Sequence, residues 1–162
     1  MTADPRSESA IATLTPATAA LARRFLDAAN KALAPRGLVV KIISGTRTYE
    51  EQDALYAIGR TKQLGARIVT KARGGFSNHN FGIAFDIGIF DGGKYLEESP
   101  AYKSLGPLGE ACGLEWGGRW KSIQDEPHYQ LPGMDLAKLR AMRARQSAKS
   151  ERSRFRTADP TR

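Results

Sequence analysis

The sequence has very few of the side chains that bind transition metals most tightly. Cys112 is the single cysteine of 162 residues, and His79 and His128 are the two histidines. A lone cysteine excludes an intrachain disulfide and a cysteine-rich zinc site. A transition-metal site in this chain would therefore have to use histidine and carboxylate ligands.

Long hydrophobic runs are also missing. No apolar stretch approaches the ~18 residues of a membrane span. Residues 1–8 are polar and have no hydrophobic region of a secretory signal. We therefore expect synthesis in the cytoplasm without a signal peptide. The length and the hydrophobic content of 41% favour one globular domain with a buried core.

Acidic residues are scarce toward the end of the chain. Nine of the 25 lysines and arginines lie in 138–162, against two acidic residues, so the net charge of +8 is concentrated there. We predict a folded domain at 1–142 and a basic, disordered tail at 143–162. Such a tail attracts polyanions without selecting one. Apart from Phe155 it has no interleaved aromatic residue and no base-reading motif, which argues against specific nucleic-acid binding.

The most informative local pattern is the alternation in 84–90. Its large apolar side chains share one face, and the other face carries Asp86 between two small residues. A strand of this kind buries its apolar back and leaves room for a ligand in front of the carboxylate. Arg47 is also held firmly, because it stands between the predicted strand 38–43 and a helix that Thr48 caps.

Both histidines lie in short segments that also contain a carboxylate. His79 and Asp86 are seven residues apart with Gly82 between them, so a loop that turns into a strand could bring both to one ion. With His128 as the third ligand, two imidazoles and a carboxylate would hold a hydrolytic zinc ion. Taken alone, a His-x6-Asp pair more often has a polar or core role.

A hydrolytic zinc site also needs a general base that is not itself a ligand. Asp125 precedes His128 by three residues, and the intervening Pro127 stiffens the link. Glu126 is the competing candidate. Arg47 could meet the negative charge that develops on the attacked carbonyl. The structural alternatives are a turn residue for Asp125 and a surface salt bridge for Arg47.

Three motifs in this order resemble a known family. The segment 77–86, with the pattern Ser-x-His-x-x-Gly-x-Ala-x-Asp, resembles the signature of the zinc D-alanyl-D-alanine carboxypeptidase (VanY-like) peptidases. Residues 125–128 (Asp-x-Pro-His) resemble its second motif, and 44–47 (Ser-Gly-Thr-Arg) its arginine motif. The resemblance spans 11–131. It implies a compact, single-domain α+β fold with a central antiparallel sheet flanked by helices, as in hedgehog signalling domains.

The resemblance also implies the roles of individual residues. Zn²⁺ would be held by His79, Asp86 and His128, with Asp125 as the catalytic base and Arg47 stabilising the transition state. We further predict three substrate contacts, Ser77, Trp116 and Tyr129. For Trp116 the alternative is packing in the core.

The opening at 11–16 is similar to that of L-alanyl-D-glutamate endopeptidases, many of which are phage endolysins. The leading hypothesis is therefore a zinc-dependent peptidoglycan peptidase that cuts the L-Ala–D-Glu bond of the stem peptide. It would act as a monomer on the bacterial cell wall during host lysis, and its basic tail would contact anionic envelope polymers or lipids. The alternatives are a D-alanyl-D-alanine carboxypeptidase or dipeptidase, and a metal-stabilised binding module without catalysis.

Overall fold

A five-stranded antiparallel sheet with the strand order β1-β2-β5-β4 organises the fold, and β3 pairs with β2. The computed structural model describes residues 4–157. The strands are β1 (Leu38–Ser44), β2 (Ala84–Asp91), β3 (Lys94–Leu96), β4 (Glu115–Trp116) and β5 (His128–Gln130). The helices are α1 (Pro5–Ile11), α2 (Pro16–Leu33), α3 (Tyr49–Ala57), α4 (Pro100–Ala111) and α5 (Leu136–Thr157). Short 3-10 turns occupy Ala34–Arg36, Asn78–Phe81 and Gly117–Arg119. The predicted α+β class with a central antiparallel sheet is confirmed.

Helices α2 and α4 cover the apolar face of the sheet. The large side chains of β2 on this face are fully buried, as the alternating pattern predicts, and Phe25 of α2 packs against Phe85 and Tyr129. The centroids of the Phe25 and Tyr129 rings are 4.4 Å apart. The opposite side of β2 carries Asp86. Packing in the core therefore holds the strand in place, while the carboxylate is free to face a ligand.

Residues 4–11 are more ordered than their polar composition indicates. Asp4 caps α1 by accepting from the backbone N–H groups of its first turn. The backbone N–H of Ile42 in β1 donates to Ser7 Oγ over 2.9 Å, and Ile11 is buried in the core. Helix α1 therefore covers the outer edge of the sheet, because it supplies a hydrogen-bond partner to β1, the edge strand in the described part of the chain.

Helix α5 extends much further than the sequence indicates. The sequence predicts a helix up to about residue 142 and a disordered tail at 143–162, whereas α5 continues to Thr157. The last five residues of the predicted tail lie outside the described part of the chain. The domain boundary at residue 142 stays a prediction. Within residues 4–157 no helix is both long enough and apolar enough to cross a membrane.

Two arginines of α5 dock it onto the loop that precedes β2. Arg140 Nη1 donates to the carbonyl of Gly75 over 3.1 Å, and Arg143 Nη1 donates to that of Asn80 over 2.9 Å. The Arg143 guanidinium also lies 4.4 Å from the centroid of the Tyr49 ring. Helix α5 thus contacts the loop on both sides of His79.

Candidate metal centre

Three predicted ligands converge at the junction of β2 and β5. The antiparallel register places Asp86 directly opposite His128. The 3-10 turn Asn78–Phe81 brings in His79, and Gly82, at φ 67°, ends this turn in the left-handed conformation that favours glycine. His79 Nε2 lies 3.2 Å from Asp86 Oδ1 and 3.3 Å from His128 Nδ1, and His128 Nδ1 lies 3.1 Å from Asp86 Oδ1. Three donor atoms therefore form a nearly equilateral triangle.

The triangle has the size that a tetrahedral zinc ion requires. Bonds of about 2.0–2.1 Å to nitrogen and oxygen give a tetrahedron with edges of about 3.3–3.4 Å. The measured separations of 3.1–3.3 Å are close to this value. Each of the three residues offers one ligand atom, and both imidazoles are buried. The donor set fits a metal ion with one coordination position left open.

Each imidazole has its other nitrogen against an oxygen acceptor. His79 Nδ1 donates to the carbonyl of Gly45 over 2.7 Å, and His128 Nε2 donates to Gln130 Oε1 over 3.0 Å. Because a carbonyl oxygen accepts only, these nitrogens carry the ring protons. The lone pairs on His79 Nε2 and His128 Nδ1 therefore face the centre of the triangle, as a metal site requires.

Arg47 binds the third ligand from behind. Its Nη2 donates to Asp86 Oδ2 over 2.6 Å, and its other nitrogens donate to Ser44 Oγ and to Gln52 Oε1. A β-bulge between Ile42 and Ser44 interrupts the regular pairing of β1 with β2 at this point. Arg47 is thus an ion-pair partner of Asp86, as the structural alternative predicts, but the pair lies inside the site and leaves Oδ1 for the metal.

The charged neighbours keep Asp86 ionised. Burial raises the pKa of the Asp86 carboxyl, but the two neighbouring imidazoles lower it by more, so the pKa lies well below its usual range. Asp86 is therefore ionised throughout the physiological pH range and could serve as an anionic metal ligand.

Asp125 lies beside the cluster in a tight turn. Its backbone N–H donates to the carbonyl of Gly117, and its own carbonyl accepts from the N–H of His128 over 3.2 Å. Burial raises the pKa of the Asp125 carboxyl, and the negative charge of Asp86 raises it further, against the opposing effect of both imidazoles and Arg47. A carboxyl with a raised pKa next to the ligands suits a general base.

Glu126 points elsewhere. Its Oε1 lies 3.6 Å from Lys103 Nζ on α4. The Glu126 backbone carbonyl accepts from the indole N–H of Trp116 over 2.8 Å. Between the two candidates for the base that the sequence leaves open, this placement favours Asp125.

The three predicted substrate contacts lie in surroundings different from those of the candidate ligands. Tyr129 is fully buried, and the Trp116 indole packs over Gly106 of α4. Tyr129 on β5 and Trp116, its partner on β4, lie on the face of the sheet opposite His128. The structure therefore does not bring these two side chains to the cluster, and their role as substrate contacts stays a prediction. Ser77 Oγ accepts from the N–H of His79 over 3.3 Å and caps the 3-10 turn, which gives it a positioning contact.

Trp120 lies where the sequence predicts no site residue. Its ring centroid is 4.9 Å from that of His128, and its indole N–H donates to Glu115 Oε1 over 2.9 Å. The half-buried Trp120 ring therefore covers one side of the His128 imidazole. The sequence does show two tryptophans in the glycine-rich segment 113–120, which could have suggested an aromatic side chain at the site. Which of the two indoles faces the site depends on the 3-10 turn Gly117–Arg119.

Comparison with known proteins identifies the family. A family model described as D-alanyl-D-alanine carboxypeptidase matches residues 70–131, which contain all three candidate ligands. The chain is 35% identical over 123 residues to the peptidoglycan L-alanyl-D-glutamate endopeptidase CwlK of Bacillus subtilis (strain 168), covering 68% of this chain and 71% of that protein. The chain belongs to the D-alanyl-D-alanine carboxypeptidase (VanY-like) family of zinc peptidases.

Solved structures of peptidases share the fold of this family member. The L-Ala D-Glu endopeptidase ChiX of Serratia marcescens aligns with a TM-score of 0.58 at 22% identity, covering 78% of this chain and 86% of that one. The vancomycin-resistance D,D-pentapeptidase VanY, an E175A mutant in complex with Zn(II), aligns with a TM-score of 0.54 at 20% identity, covering 74% and 73%. At such identities the likeness shows the fold alone.

Proposed function

We propose that this peptidase is a zinc-dependent peptidoglycan hydrolase that cleaves the L-Ala–D-Glu bond of the stem peptide. The observation that carries the proposal is the triangle of His79, Asp86 and His128, whose ligand atoms have the spacing of a tetrahedral zinc site. Asp125 lies beside this triangle. The choice of bond is supported by the identity of 35% to an endopeptidase of that specificity.

The two imidazoles and the Asp86 carboxylate would hold the ion. When bound, zinc supplies Lewis-acid chemistry, lowering the pKa of a water ligand toward ~7 and polarising the scissile carbonyl. Asp125 takes the proton from the attacking water and returns it to the leaving amine. Its raised pKa supports both transfers, because a carboxyl with a raised pKa holds the proton long enough to pass it on.

Arg47 has two roles in this proposal. Its bond to Asp86 Oδ2 fixes the carboxylate so that Oδ1 faces the other ligands. Its positive charge next to the cluster would also stabilise the negative charge that develops on the carbonyl oxygen in the transition state. Trp120, which lies against His128, and the turn with Asp125 would form walls beside the reacting peptide.

The wider setting is proposed on the same basis. A phage-type endolysin that is made in the cytoplasm would act on the bacterial cell wall during host lysis. Helix α5 carries exposed basic side chains, among them Arg145, Lys149 and Arg152, which are suited to anionic envelope polymers or lipid surfaces. The enzyme would work as a monomer.

The experiment is digestion of purified sacculi followed by mass spectrometry of the fragments. The proposal expects new amino-terminal D-Glu on the released peptides. Release of free D-Ala would instead support a D-alanyl-D-alanine carboxypeptidase, the alternative favoured by the description of the matching family model. Asp125→Asn is the matched inactive control. If it keeps zinc and digests sacculi as well as the wild type, the assignment of the base is wrong.

A further inference from the structure

Gln130 lies next to the metal cluster in a position that the reaction itself does not explain. It follows His128 by two residues on β5, so both side chains point to the same face of the sheet. Gln130 is 9% exposed. Its Oε1 lies 3.0 Å from His128 Nε2 and 2.5 Å from Asn78 Nδ2. One buried oxygen therefore accepts from a metal-ligand imidazole and from the turn that carries the other imidazole.

This oxygen decides which tautomer His128 adopts. Nδ1 is the nitrogen that faces Asp86 and His79, so a metal ion needs its lone pair and Nε2 must carry the proton. An oxygen acceptor next to Nε2 favours that state. If the Gln130 amide were turned by half a rotation, its NH₂ group would face Nε2 and favour the tautomer with a proton on Nδ1, which cannot bind the metal.

Asn78 holds the Gln130 amide in the productive orientation. Its Nδ2 donates to Gln130 Oε1, and a donor on that side favours the oxygen over the NH₂ group. Within residues 4–157, Asn78 Oδ1 is buried and has no hydrogen-bond partner. Burying an unpaired carbonyl costs about 1–3 kcal/mol. The fold thus leaves one polar atom of Asn78 unpaired, and the bond that its other polar atom makes is the one that orients Gln130.

We propose that Gln130, held by Asn78, is a positioning residue that fixes the proton of His128 on Nε2 and so prepares Nδ1 to bind the metal. The hydrogen bonds from Asn78 to Gln130 and from His128 to Gln130 also join the turn that carries His79 to β5. The two imidazole ligands are thereby held at a fixed distance from each other. The inference rests on the proposed zinc site. Outer partners of metal ligands typically contribute about 10–100-fold to metal affinity.

The test is zinc affinity of the metal-free protein, measured by competition with a chromophoric chelator. Gln130→Leu keeps a side chain of similar size and removes the acceptor, so zinc binding should weaken about 10–100-fold. Gln130→Glu restores an acceptor-only group and should bind zinc at least as tightly as the wild type. Gln146→Leu, an exposed residue of α5, is the matched control and should leave affinity unchanged.

A second readout follows the tautomer directly. Long-range ¹H–¹⁵N spectra of the metal-free protein, recorded where the ring is neutral, should show His128 protonated at Nε2 in the wild type. Protonation at Nδ1 in the wild type would overturn the proposal. If Gln130→Leu does not fold, Asn78→Ala replaces it, and its zinc affinity should fall in the same direction.

The outcomes separate this inference from the proposed function. If the wild type binds no zinc, the proposed function fails as well. If the wild type binds zinc and Gln130→Leu binds it equally tightly, only the role of Gln130 is overturned. An equal loss in Gln130→Leu and Gln130→Glu would also overturn it, since a packing defect would then explain both.

Discussion

Tyr129→Phe is expected to stabilise the folded protein. The Tyr129 hydroxyl is buried, and among the described residues it has no hydrogen-bond partner. The ring itself packs well, with its centroid 4.4 Å from that of Phe25 and 5.8 Å from that of Phe85. Phenylalanine keeps these contacts and removes only the unpaired oxygen. A buried unpaired hydroxyl costs about 1–3 kcal/mol, so we expect the free energy of unfolding to rise by about 1 kcal/mol.

Tyr102→Phe is the matched control with the opposite expectation. Tyr102 is also buried, but its hydroxyl accepts from the N–H of Ile89 over 3.1 Å and donates to the carbonyl of Leu96 over 2.9 Å. Its removal leaves both backbone groups without this partner. The free energy of unfolding should fall by about 1–2 kcal/mol.

Urea unfolding at a fixed zinc concentration measures both changes. The midpoint should rise for Tyr129→Phe and fall for Tyr102→Phe, with the denaturant slope unchanged. A loss of about 1 kcal/mol or more in Tyr129→Phe would refute the reasoning, because it would mean that the hydroxyl has a partner. Peptidoglycan hydrolysis should be unchanged in Tyr129→Phe, and a clear loss would support the predicted role of this residue as a substrate contact.

Three other expectations follow from the site and its support. Asp125→Asn should lower hydrolysis by at least ~10²-fold in a turnover assay, whereas Glu126→Gln should stay close to wild type; the reverse pattern would make Glu126 the base. Arg143→Ala should lower the free energy of unfolding by about 1–2 kcal/mol, against at most ~0.5 kcal/mol for the exposed Arg145→Ala. If the two variants lose equal stability in denaturant titrations, the contacts of Arg143 with the loop before β2 do not stabilise the fold. Adding zinc at 100 times its Kd should raise stability by about 2.7 kcal/mol over chelated protein; a melting temperature independent of zinc in calorimetry would speak against the site.

The strand that carries Asp86 could be predicted from the sequence because its signal is local. Alternation along β2 fixes which side chains share a face, and the burial in the core follows that pattern. The convergence of His79 and His128 is a long-range property. It could be inferred only from motif resemblance, since spacing does not state that β5 pairs with β2 in the register that places His128 opposite Asp86.

The remaining differences have physical causes that spacing does not reveal. Tyr129 follows the candidate ligand His128 in sequence, but the alternation along β5 places its side chain in the core. The cover provided by α1 depends on Ser7 reaching a strand edge 35 residues away. The sequence of helix α5 predicts a charged tail because its apolar content is low. Arg140 and Arg143, which hold the helix against the domain, bind backbone carbonyls that no sequence pattern marks.

Native mass spectrometry of the metal-free protein titrated with zinc tests the central claim most directly. The account predicts one zinc ion per chain in the wild type and in Asp125→Asn, and no ion at the same concentration in His79→Ala, Asp86→Ala or His128→Ala. A wild type that binds no zinc would contradict the account, and so would any of the three ligand variants that binds one ion as tightly as the wild type.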